Sequence, residues 1–188
     1  ATVSLVSIRP VGKVKTRAEY RHKLIDQMVS WIVNRRLSDF LKSGKVKYQE
    51  ASVEKSNFLN VCTYISSSAE CEASEWRAAM KQLIVIVKRT REYGFFSQEL
   101  EDAIKTIMAR ARRAAETEST RKHKAIIGEL NSEIAHDCLP MSADQELELN
   151  RAIIQSINIV DLNSAFRRDF NAKNRLATVE LPDHKGIV

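Results

Sequence analysis

Over residues 2–8, Val3, Leu5, Val6 and Ile8 fall among serines, which suits a short strand with a mostly apolar face, and Arg9-Pro10-Val11-Gly12 ends it. Residues 16–42 contain no Pro or Gly and carry Ile25, Met28, Val29, Ile32, Val33 and Phe40 on one helical face. Thr16 with Glu19 forms a capping box at its start, and Gly44 is placed to close it in the left-handed C′ position. Residues 46–65 read as a hairpin. Val46, Tyr48 and Val53 lie in the first strand, Glu54-Lys55-Ser56-Asn57 makes the turn, and Leu59, Val61, Thr63 and Ile65 alternate in the second. The remaining pattern is helical, with Ser74 capping a segment that ends at Gly94 and Ser97 opening another. Further helices are predicted over 121–137, from Ser142 with a box to Gln145, and over 161–170. Residues 175–181 alternate again as a strand before Pro182.

The order strand, helix, strand, strand, four or five helices, strand predicts an α+β fold, with a small, mainly antiparallel sheet covered on one face by several helices. The 188 residues suit one domain over 1–188, long enough to bury a core without a disulfide or metal staple. The longest apolar run, residues 83–87, falls far short of the roughly 20 residues that cross a bilayer, so no membrane partner is expected. Cys62, Cys71 and Cys138 are odd in number and without paired spacing, which favours free thiols in a reducing intracellular compartment. The chain begins at Ala1 and is almost at once a strand, as expected of a fragment of a longer, multi-domain polypeptide.

A net charge of +6 permits an acidic partner such as nucleic acid. The densest basic stretch, Arg110, Arg112, Arg113, Arg121, Lys122 and Lys124, has no interleaved aromatic residues for base stacking and is split by Glu116 and Glu118. A basic nucleic-acid-binding module is therefore only the alternative reading. The five glycines are scattered, which leaves no phosphate loop, and neither His-Glu-x-x-His nor its inverse can be written with the four histidines. Glu133-x-x-His136, with Glu129 one turn earlier, puts two carboxylates and an imidazole near one helix face. A di-iron-type site needs a second such set, so a solvated face is the expected reading. No catalytic, cofactor-binding or metal-ligating residue is assigned. Arg36 falls inside the apolar stripe of its helix, and a buried guanidinium must be paired; the functional reading is a ligand clamp, and the favoured one is a structural Arg held by a carboxylate or by strand carbonyls with help from nearby Asp39.

Several stretches together resemble the pitrilysin/insulinase-type zinc metallopeptidases, the inverzincins, in their non-catalytic second domain. They are Thr2-Val3-Ser4-Leu5, Ala18-Glu19-Tyr20-Arg21 running to Asn34-Arg35-Arg36-Leu37-Ser38, and Gly94-Phe95 with Glu99-Leu100 and Ala103. Leu139-Pro140-Met141-Ser142, the segment Ile157 to Asn163, and Asn174-Arg175-Leu176 follow in order. The resemblance covers about residues 2–182 and implies that Asn34, Arg36, Leu37, Gly94 and Leu100 belong to the scaffold. It implies a chain inactive by itself, forming part of a chamber wall in a zinc endopeptidase (a hydrolase) that degrades unfolded peptides. Zinc would then sit in the parent's catalytic domain. The catalytic and C-terminal domains of the same polypeptide would be partners, and the isolated piece could form a homodimer through surfaces left bare.

Overall fold

The computed structural model describes residues 1–58, 60–170 and 175–183, so Leu59, Asn174, His184 and Gly186 lie outside the described residues. Four strands, β1 (Thr2–Pro10), β2 (Glu50–Phe58), β3 (Cys62–Glu70) and β4 (Arg175–Glu180), form one antiparallel sheet in the order β2-β3-β1-β4. Six helices accompany it: α1 (Arg17–Lys42), α2 (Trp76–Tyr93), α3 (Ser97–Thr117), α4 (His123–Ala135), α5 (Ala143–Ile154) and α6 (Ile159–Phe170). This is the expected α+β layout.

Register fixes which side chains share a face. Val3, Val53, Ser67 and Ala69 are cross-strand neighbours and are buried, so the odd-numbered positions of β1, β2 and β3 point to the core. There α2 packs on β1 and β3, while α1 lies against β2 and carries Leu24, Ile25, Met28, Ile32 and Leu37 into the centre. The even-numbered positions form an outer face on which Ile8, Phe58 and Leu176 are each 61% exposed.

Predicted boundaries hold where caps decide them. Thr16 and Glu19 make their capping box, Ser142 and Gln145 make theirs, and Gly44 takes φ +68° just beyond α1. The helix predicted from residue 161 begins at Ile159 because Asn158 Oδ1 accepts the Val160 and Asp161 amides and Asp161 returns a bond to the Asn158 amide. Ser74 does not cap α2; it sits in a 3-10 turn, Ala73–Glu75. The hairpin needs the largest correction. Residues 54–57 are not a turn but the middle and end of β2, and β3 runs on through a serine run to Glu70. Lys55 points inward there, to Asp26 and Asp169, and this paired charge gave the strand its turn-like polarity.

Candidate functional site

A guanidinium fork holds three helices together. Arg36 lies on the buried stripe of α1 with its side chain only 20% exposed, and its Nε and Nη2 each donate to a Glu99 carboxylate oxygen at 2.6 Å. Nη2 also donates to the Gly94 carbonyl at 3.0 Å, and the guanidinium lies over the Phe95 and Phe96 rings. Such a bidentate, aromatic-stacked geometry suits Arg and not Lys. Asp39 takes no part; its ion pair is with exposed Lys42.

Glu99 does a second task, accepting the Phe96 amide at 2.8 Å and so capping α3 in place of a side chain at Phe96 or Ser97. Gly94 closes α2 at φ +71°, and a Cβ there would lie 2.4 Å from Asn163 Oδ1. That same oxygen accepts the Phe95 amide at 3.0 Å, which ties α6 to the α2–α3 junction. Leu37 is buried, and Leu100 packs partly buried against the core. Asn34 acts at the sheet edge. Its amide accepts from the Val53 N–H at 2.7 Å and donates to the Val53 carbonyl at 3.0 Å, supplying β2 with one residue's worth of a further strand. Two residues stand in the stretches that carry the resemblance but were not read as partners: Glu99, which reads as an ordinary first-turn acid, and Asn163, a polar residue beside Leu162 and Phe166 on the packed side of α6.

A second polar centre lies between the sheet and the helices. Lys55 Nζ sits 2.6 Å from Asp26 and 2.9 Å from Asp169, Arg168 bridges the same two carboxylates, and Arg9 approaches Asp169 at 3.8 Å. Near the other end of α1, the buried Tyr20 hydroxyl is 2.9 Å from both Glu146 Oε1 and Asn150 Oδ1. Burial, reinforced by the Glu146 charge, pushes its phenol well above the ordinary range.

The remaining candidates separate. Glu129 is paired with Arg121, His136 Nδ1 lies 2.6 Å from the Ser132 carbonyl, and Glu133 turns to a partly desolvated place near Lys23 and Glu146. Glu129 and His136 are thus committed to different partners. Among the described residues no group of three or more His, Cys, Asp or Glu is placed to hold a metal. Arg110, Arg112 and Arg113 lie exposed on α3, Lys122 just before α4 and Lys124 on it, whereas Arg121 between the helices is half-buried and paired with Glu129; no aromatic residue stands among them as a stacking platform.

No family model and no curated protein matches the chain. Solved structures do. The first half of the periplasmic protease PqqL from Escherichia coli superposes with a TM-score of 0.87 at 15% identity, over 94% of this chain and 38% of that one. An M16 peptidase inactive domain from Pseudomonas fluorescens gives 0.63 at 15% identity, over 96% of this chain and 42% of that one. The fold is that of an M16 peptidase domain. An inactive peptidase domain from Bordetella parapertussis also carries this M16 fold; it matches at 0.68 and 13% identity over 98% of this chain and 91% of its own. The chain spans 38% of the PqqL half and 20% of the longer PqqL structure it also matches.

Proposed function

We propose that this chain is a non-catalytic domain of a pitrilysin/insulinase-type zinc metalloendopeptidase, in which it packs beside a catalytic unit and forms part of a chamber wall admitting unfolded peptides. The observation that carries this reading is the match to an inactive peptidase domain over nearly the full length of both chains. The missing His-x-x-Glu-His and the divergent partners of Glu129 and His136 agree with it. Zinc belongs to the catalytic unit of the same polypeptide, which with the C-terminal units is this domain's partner. Asn34, Arg36, Leu37, Gly94 and Leu100 are scaffold residues: they fix α1, α2 and α3 against each other and against the β2 edge. Detached from its neighbours, the domain has bare apolar surface through which it can form a homodimer.

The test compares the isolated chain with the natural polypeptide that contains it. Stoichiometric zinc and cleavage of an unfolded peptide are expected only for the longer polypeptide. One zinc per isolated chain, lost on His136→Ala, or peptidase activity of the chain alone would overturn the proposal. Sedimentation of the isolated chain reads out the homodimer.

A further inference from the structure

Helix α2 carries its buried residues, Ala79, Leu83, Ile86, Val87 and Thr90, on the side that packs against β1, β3 and α6. The side turned away is a row of cations. Arg77, Lys81, Lys88 and Arg89 are all exposed there, with Val85, 42% exposed, in the middle of the row and one carboxylate, Glu92, at its end. At 1.5 Å per residue, Lys81 and Arg89 lie about 6 Å to either side of Val85 along the helix axis, and the row from Arg77 to Arg89 is about 18 Å long.

Nothing inside the protein accounts for this row. Elsewhere Arg21 is paired with Asp161, Arg35 with Asp102, Arg36 with Glu99 and Lys55 with Asp26. Among the described residues none of the four cations on the exposed side of α2 has an ion pair. Glu75, which immediately precedes the helix, is taken by Lys47 at 3.2 Å, and Arg77 lies instead over the Trp76 ring at 4.3 Å. Local helix energetics also run against the row. Arg77 stands in a first turn that has no acid, where the helix dipole disfavours a cation, and Lys81 repeats the charge one turn on. Positive charge kept without a local counter-charge is placed to attract an anionic partner.

Two features select a polypeptide helix over a nucleic acid. Val85 breaks the row with an apolar surface that a line of phosphates leaves uncovered, and no aromatic residue stands between Arg77 and Arg89 to stack a base. A helix with one apolar residue flanked by carboxylates three and four positions away meets both kinds of surface, because those positions share a helix face. We infer that the exposed face of α2 docks an acidic amphipathic helix of another protein, with an apolar residue on Val85 and carboxylates opposite Lys81, Lys88 and Arg89. One helix on another buries less than the roughly 1,200 Å² of a stable interface, so the contact is transient and steered by charge. This goes beyond the peptidase-domain reading and does not depend on it.

The probe is an 18-residue alanine-based helical peptide, about 27 Å long, with Leu at its centre and Glu three and four residues to either side. One control peptide has Lys in place of the Glu, a second has Gln in place of the Leu, and a short DNA duplex is the third ligand. Amide chemical shifts of the isotope-labelled chain are followed during titration at two salt concentrations. With the Glu peptide, shift changes are expected along α2 and weaken at high salt. The Lys peptide should bind at least tenfold more weakly, and the Gln peptide at least twofold. Lys81→Glu combined with Lys88→Glu should reverse the preference between Glu and Lys peptides. Should that variant lose the native amide spectrum, Lys81→Gln with Lys88→Gln is expected to keep it and to bind the Glu peptide at least fivefold more weakly. Equal binding of the Glu peptide and either control peptide, shifts that avoid α2, no shift at millimolar peptide, or neutralisation without effect would overturn the inference. So would tighter binding of the duplex than of the Glu peptide at the same amides, since a nucleic acid would then be the occupant.

Discussion

Arg36 and Glu99 are each about one-fifth exposed, so removing one leaves the other nearly desolvated. Arg36→Ala is expected to destabilise the chain by about 3 kcal/mol in urea unfolding, and Arg36→Lys by less, because the ammonium keeps the charge but not the fork. Combining Arg36→Ala with Glu99→Gln should cost clearly less than the two separate losses added; simple additivity would show that the pair is not coupled. Glu133 poses the opposite case. Desolvation first, then the nearby Glu129 and Glu146 charges, raise its carboxyl above the usual range against the pull of Lys23. A folded pKa above the unfolded one means its contribution is complete below the unfolded pKa and is lost as pH rises through the folded one. Glu133→Gln should therefore match the parent protein's stability near pH 3 and exceed it at pH 7. Equal curves at both pH values would show that this carboxyl is not displaced.

At the scale of elements, the junction of α2, α3 and α6 depends on one missing Cβ. Gly94→Ala meets two obstacles: a left-handed φ of +71°, costing about 1–2 kcal/mol, and a Cβ position 2.4 Å from Asn163 Oδ1. We expect a total loss of about 3 kcal/mol, of which Asn163→Ala in the same chain restores the steric part and leaves the dihedral part. If the double variant unfolds at the sum of both single losses, the close approach is not what selects glycine here. Elements were legible in the sequence wherever local chemistry decides them, as at Thr16–Glu19, Ser142–Gln145 and Gly44. They were not legible where distant charges decide. Lys55 belongs in a strand only because Asp26 and Asp169 arrive from α1 and α6, and no local pattern announces either. Arg36 could be read as needing a partner, but Glu99 lies 63 residues away and competes with closer Asp39.

Across the whole molecule, stability is distributed unevenly, and α4 lies at one extreme. None of its residues is buried, and Ile127 and Ile134 are 57% and 66% exposed, whereas α1 places eight side chains in the core. Thirteen residues are at the limit of what an isolated helix sustains in water. Contacts that hold α4 include the Arg121–Glu129 ion pair, the Asn60 amide's bond to the Ala135 carbonyl, the Asp137 contacts with Lys13 and Lys15 just beyond it, and the backbone bond from Leu139 to Val14. The ion pairs among them are exposed, worth at most about 1 kcal/mol each and weakened by salt. Amides of α4 should accordingly exchange with solvent through local opening, at least about 100-fold faster than those of α1 and β3, whose exchange awaits global unfolding. Raising the salt concentration should widen that gap, because it loosens the ends of α4 and leaves the apolar core untouched. Protection in α4 equal to that in α1 would mean that the helix is cooperative with the core, and that its bare Ile127 and Ile134 are not the mark of an independently opening segment.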